Sequence, residues 1–176
     1  MKQYDFFHVY DVPRHEDIKD KLLLYFDDMT EKYNLNINQS SNITSTDYFL
    51  VKDHKIKIPP YSELIHEFVY SSFSEDILNK FSCKGISFSG CWFQQYDHGS
   101  SFSYHTHPKS HLAGIYYIEL PEGSETEFDG FTPPTVKEGQ VLIFPSFIPH
   151  RSNANPSLDR KTVVAFNFDL FYKKHE

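Results

Sequence analysis

The sequence predicts an α+β fold, an antiparallel β sandwich or barrel covered on one face by N-terminal helices. Two observations carry this. Apolar residues recur at three- and four-residue steps only in roughly the first 80 positions. From Gly85 onward, short apolar segments are separated by Gly, Pro and Asn. A length of 176 residues suits one domain, 1–176, with enough chain to bury a real core. Within it, 1–84 is expected to be a helical support region and 85–176 the β core.

Taken in order, Pro13 suits the entry to a helix over HEDIKDKLLLYFDDMTEKY, in which Ile18, Leu22, Tyr25, Phe26 and Met29 form one apolar face. The polar stretch NLNINQSSNITSTDYFLV reads as a loop leading into a strand near Tyr48 to Lys52. After Pro59 and Pro60, Leu64, Ile65, Phe68 and Val69 line up on a second helix. A short third helix is expected in SEDILNKF, with Ser74 as N-cap and Glu75 and Asp76 in its first turn. Seven strand-like segments follow: ISFSGCWFQQY, SFSYHTH, LAGIYYIEL, ETEFDGF, GQVLIFP, IPHRSN and KTVVAFNFDLFY. Their number and punctuation point to a sandwich or barrel.

Composition narrows the class. Aromatic residues make up 17% of the chain, so the interior should be bulky. No apolar run approaches the ~20 residues needed to cross a bilayer, and MKQYDFFHVYDVP has no stretch of signal-peptide length. Cys83 and Cys91 show no metal or redox spacing and read as reduced core residues, which places the protein in the cytoplasm. A formal charge of −7 argues against nucleic acid as a partner. The nearest basic cluster, Lys52 to Lys57, is short and interrupted by Asp53.

Chemistry concentrates in YHTHPKSHLAGIYYIEL. His105 and His107 are two apart, so on a strand both imidazoles point to one face. His150 follows the apolar segment VLIFP, with Pro145 and Pro149 stiffening its approach. Imidazole nitrogens suit first-row divalent metals, and three ligands leave positions open for chemistry. The bland alternative is surface histidines on polar turns, the role expected for His98 and His111. Arg160 and Thr162, also two apart, form a candidate carboxylate fork of guanidinium and hydroxyl.

These elements resemble a 2-oxoglutarate- and Fe(II)-dependent oxygenase group found in phages and marine bacteria, related to prolyl hydroxylases. The order is HTHP, AGIYY, FPS, His150, RKT and AFN, spanning Gly90 to about Asp169. The resemblance implies a double-stranded β-helix (jelly roll) with iron at one mouth. It implies Fe(II), 2-oxoglutarate and O2 as cofactors and co-substrates, and hydroxylation of a C–H bond in a small molecule or peptide. Residue by residue, it implies His105 and His150 as ligands and Arg160 on the distal carboxylate of 2-oxoglutarate. Thr162 and Tyr117 would help Arg160, and Tyr96 would face the co-substrate. Where most such oxygenases carry a carboxylate, this chain has His107. Three possibilities stand: His107 is a ligand, it stands aside, or a carboxylate such as Asp129 completes the shell. The first is preferred, since the phage and bacterial group shares H-x-H.

Two other functions fit the same residues. Gly99-SSFSY-His105-Thr-His107 and Gly139-QVLIF-Pro145 resemble the two motifs of a cupin-type metal enzyme, although the cupin Glu and second-motif Gly are missing. A metal-free β-barrel binding a ligand or protein is the third.

Overall fold

Strand pairing divides the chain into two antiparallel sheets. The computed structural model describes residues 6–35, 42–56 and 58–172. Its strands are β1 (His8–Asp11), β2 (Ser45–Thr46), β3 (Gly85–Tyr96), β4 (Phe102–His105), β5 (Leu112–Glu119), β6 (Thr126–Phe128), β7 (Gln140–Pro145), β8 (His150–Ser152) and β9 (Lys161–Phe171). Six pair in the order β1-β7-β5-β9-β3-β2, and three in the order β4-β8-β6. Every pairing is antiparallel.

All seven segments read as strands are strands. Residues before Gly85 contribute two more, β1 and β2, which no periodicity announced because each is too short to show an alternation. The end of the polar NLNINQSSNITSTDYFLV loop is described from Asn42; its residues 36–41, and Lys57 of the basic cluster, lie outside the described residues.

Helices cover one face of the six-stranded sheet. α1 (His15–Tyr33) buries Ile18, Leu22, Phe26 and Met29, while Tyr25 stays at the rim, 38% exposed. Glu16 and Asp17 complement its N-terminal dipole. It ends on Asn34 in the left-handed conformation, with Leu35 N–H reaching back to the Thr30 carbonyl. Phe26 stacks on Phe93 of β3, centroids 4.5 Å apart.

The expected strand at Tyr48 to Lys52 is instead the short helix α2 (Tyr48–Lys52). Tertiary contacts override its β propensity. The buried Asp47 carboxylate accepts the Phe93 N–H at 2.9 Å and the Tyr61 hydroxyl at 2.6 Å, and the Asp47 carbonyl accepts from Val51 to close a turn. The separate helix capped by Ser74 is also corrected. α3 (Ser62–Leu64), a wide π-helical turn (Ile65–Tyr70) and α4 (Ser71–Lys80) run on without a break, and Ser74 lies inside α4. Phe73 and Ile77 of α4 are buried against the sheet, Phe73 stacking on Phe166 at 5.9 Å.

Alternation along the strands sorts the core into two layers. Tyr116 and Ile118 of β5, Val141 and Ile143 of β7, and Val164, Phe166 and Phe168 of β9 face the helices. Ala113, Ile115, Tyr117, Leu142, Phe144 and Val163 face the small sheet, meeting Phe128 and Ile148. Gly114 is required by close approach: a Cβ there would stand 2.2 Å from the Phe166 ring. Cys83 and Cys91 are free, and burial pushes the Cys91 thiol upward, as for a packing residue. No described helix is long and apolar enough to cross a membrane.

Candidate metal centre

Pairing of β4 with β8 sets His105 directly opposite His150. The chain leaves β4 through Thr106, and the His107 N–H donates to the Ser146 carbonyl at 2.8 Å, which turns His107 back over the same end of the small sheet. The three ring centroids are then 4.3 to 5.2 Å apart. One ligand nitrogen from each lies within 4.8 Å of the others, and His107 Nε2 is 3.3 Å from His150 Nε2. Among the described residues Asp129 is not part of this group; it is exposed, and no carboxylate completes the shell.

Each imidazole is held from behind. His105 Nδ1 lies 2.9 Å from the Ser103 carbonyl and His150 Nδ1 lies 3.0 Å from the Ile148 carbonyl. A carbonyl only accepts, so both Nδ1 atoms carry the proton and both Nε2 lone pairs point into the group. His107 Nδ1 meets the Asn167 side-chain amide at 3.2 Å. Burial, reinforced by the neighbouring His105, lowers His150 to about 3 and His107 to about 4. Burial lowers His105 too, opposed by its hydrogen bond to Ser103. Unprotonated imidazoles at neutral pH are the form a metal needs, so this donor set fits a divalent first-row ion.

The histidines open onto a cavity of about 320 Å³ between the two sheets. At its inner end lies Lys161, 1% exposed, whose Nζ donates to Ser152 Oγ at 2.9 Å and sits 5.3 Å from the Tyr96 ring centroid. Burial pulls this ammonium down to about 7, partly offset by the charge of Glu125. Nearer the mouth, Trp92 packs beside His107 and against Tyr48 of α2. Arg151 holds the rim, pairing with both Glu127 oxygens and lying 4.6 Å over the Tyr104 ring.

The structure brings together His105, His107, His150 and Tyr96 in this cavity and leaves Arg160, Thr162 and Tyr117 off its wall. The Arg160–Thr162 pair stands outside this cavity. Both side chains do share a face, but it is the helix-side face of β9, the same parity as Val164 and Phe166. There Arg160 Nε donates to Glu119 at 3.0 Å and its Nη1 lies 3.5 Å from Asp27, while Thr162 donates to the same Glu119 carboxylate. Lys161, one residue over, is the cation that enters. Tyr117 is fully buried beneath the wall, donating to Thr126 at 2.9 Å. Lys161 and Asn167 went unrecognised in the sequence, although a signal existed: they share the odd-numbered parity of Val163 and Ala165 along β9.

His98 and His111 stand apart, against the Ser157 carbonyl and the Asp169 carboxylate. A second group of potential ligands, His15, Glu16 and Glu138, is already neutralised in part by Lys19 on Glu138.

No protein-family model and no curated protein matches the sequence. Solved structures share the fold. The viral collagen prolyl hydroxylase of Paramecium Bursaria Chlorella virus-1, in its 2OG complex, aligns at TM-score 0.63 and 19% identity over 93% of this chain and 96% of that one. The alpha-ketoglutarate-dependent carbocyclase SnoK of nogalamycin biosynthesis aligns at 0.69 and 10% identity, over 94% and 79%. A Pseudomonas putida prolyl-4-hydroxylase aligns at 0.54 and 12% identity, over 96% and 93%. The likeness is one of fold: the chain is built as two prolyl hydroxylases and an alpha-ketoglutarate-dependent carbocyclase are built.

Proposed function

We propose that the protein is a 2-oxoglutarate- and Fe(II)-dependent dioxygenase that hydroxylates a C–H bond of a small-molecule or peptide substrate, with release of succinate and CO2. In this reading the two sheets form a double-stranded β-helix, the chain acts as a single domain in the cytoplasm, and residues 1–84 brace the core formed by 85–176. The observation that carries the proposal is the facing of three neutral imidazoles and one buried ammonium within one cavity.

His105, His107 and His150 would hold the iron. When bound, iron and O2 would supply the oxidising chemistry, driven by decarboxylation of the 2-oxo acid. Lys161, supported by Ser152 and Tyr96, takes the distal carboxylate, the role first given to Arg160. A buried ammonium beside a hydroxyl suits that end of a dicarboxylate, since the pair compensates a charge that would otherwise be stranded away from water. Substituting His107 for a carboxylate leaves the metal one charge more positive, which favours a dianionic co-substrate. Trp92, Tyr48 and Phe102 wall the remaining space and exclude water from it. Two of the similar folds are prolyl hydroxylases, so a prolyl or other amino-acid side chain is the first substrate to try.

The test is anaerobic addition of Fe(II) and then 2-oxoglutarate, watching for the weak visible charge-transfer band, followed by succinate release in air. A band that appears only with both components supports the proposal. Metal uptake with no response to 2-oxoglutarate would favour the cupin-type enzyme, and no metal uptake at all would favour a β-barrel binding protein.

A further inference from the structure

We infer that Asn167 is the positioning residue that makes His107 a metal ligand, its side-chain amide turning over as the metal binds. The inference rests on the metal centre proposed above and goes beyond it by naming what decides the third ligand.

His105 and His150 are backed by carbonyl oxygens, which fix their tautomers permanently. His107 is backed by a group of a different kind. Asn167 presents an N–H donor and a C=O acceptor of nearly the same shape, and so can stabilise either tautomer of the ring. With Nδ2 toward the ring, as in the structure, Nδ1 accepts and the proton sits on Nε2. That proton can then bridge the 3.3 Å to His150 Nε2, so the metal-free trio is internally satisfied by a hydrogen bond. In this state His107 has no lone pair to offer.

Binding a cation requires the reverse. The Nε2 lone pair must face the metal, the ring proton must move to Nδ1, and an acceptor must stand behind it. The acceptor in reach is Asn167 Oδ1, brought round by half a turn of the amide. The turn keeps the hydrogen bond between amide and ring, because Oδ1 is buried without a partner in the present orientation and exchanges places with Nδ2, while the bridge to His150 gives way to the metal. A backbone carbonyl in this position would hold His107 ready at all times. A leucine would hold it in neither state.

Position in the fold supports the assignment. Asn167 lies on β9 across from Gly90 and Ala113, shares its parity with Lys161, and lines the same cavity. A single strand therefore carries both the cation for the co-substrate and the partner of the third histidine.

The experiment uses the full chain with Co(II) or Zn(II) alone, without 2-oxoglutarate or turnover. Wild type, Asn167→Asp and Asn167→Leu are compared by Co(II) titration, and by nitrogen NMR of the Zn(II)-loaded, histidine-labelled proteins. Asn167→Leu is expected to bind Co(II) about 10- to 100-fold more weakly. Asn167→Asp, which keeps an acceptor, should bind at least as tightly as wild type. In the Zn(II) spectra the His107 Nδ1–H signal should be lost or fast-exchanging in Asn167→Leu alone, with those of His105 and His150 unmoved. The unmoved pair also reports that the variant is folded. Equal affinity in wild type and Asn167→Leu would overturn the role of Asn167 and leave the metal centre standing. No metal binding by wild type would overturn both.

Discussion

Lys161 and Arg160 are neighbours in sequence with opposite fates, and the pair makes the sharpest residue-scale test of the site. Lys161→Met should cost about 2–5 kcal/mol of 2-oxoglutarate binding, as for removal of one partner of a buried charge pair. Arg160→Met should leave that binding near its original value, because its guanidinium is spent on Glu119 and Asp27. Equilibrium binding to the metal-loaded proteins separates the two; a reversed order of effects would return the fork to Arg160. Lys161 also sets a pH dependence. Its ammonium is lowered to about 7, so above that pH a dianion must bring a proton with it. Apparent affinity for 2-oxoglutarate should then fall with rising pH, by up to tenfold per unit. Lys161→Arg, charged throughout the range, should flatten the profile. At the metal, His107→Ala should abolish stoichiometric Fe(II) binding, since among the described residues no carboxylate stands by to replace the ring. Iron retained at one per chain in that variant would show that His105 and His150 suffice.

Among the elements, α2 has the clearest dependence on a single side chain. Asp47 ties its start to β3 and to Tyr61, and α2 in turn sets Tyr48 against Trp92 at the cavity mouth, ring centroids 5.1 Å apart. Asp47→Ala leaves a buried hydroxyl and a buried amide without an acceptor, at a cost of roughly 2–3 kcal/mol in chemical denaturation. The same variant should expose Trp92, read as a red shift of its emission while the protein is still folded; Trp92 is the one tryptophan in the chain. This element is also where the sequence was least legible. A stretch as short as YFLVK, rich in aromatic and β-branched residues, looks like a strand, and the contact that makes it helical comes from Phe93, forty-six residues on. The seven later strands, several of them only three or four residues long, were legible because Gly, Pro and Asn punctuate the apolar segments between them. The two-residue step from His105 to His107 drew attention to the histidine trio, although His107 lies beyond the end of β4 and is turned back by its N–H to the Ser146 carbonyl. Lys161 was missed by one position, since strand parity was counted from Arg160 rather than from the apolar run Val163 to Phe168.

On the scale of the whole molecule, acid should destabilise the metal-free protein. The three site histidines are held below their ordinary ~6.5, so between that pH and about 4 the unfolded chain binds more protons than the folded one. Stability must therefore fall as pH falls through this window, by at most ~1.4 kcal/mol per unit for each histidine. Asp47 works in the opposite sense. Raised to about 6 by burial, it takes up a proton in the folded state first and gains stability as the pH drops. Three groups against one leave the histidines in control, and melting temperatures of the apoprotein should decline from pH 7 to pH 5. Replacing all three histidines with glutamine should remove most of that slope. A profile unchanged by the substitution would place the acid sensitivity elsewhere. The order of the large sheet has a consequence of its own. β9 stands between β5 and β3, so deleting it splits the sheet into two unjoined pieces, β1-β7-β5 and β3-β2, each with a raw edge. It acts as a keystone: any shortened chain ending before Lys161 loses both Lys161 and Asn167 from the cavity wall at one stroke. Incomplete copies of this protein would thus keep the three histidines beside the small sheet and lack the wall that faces them.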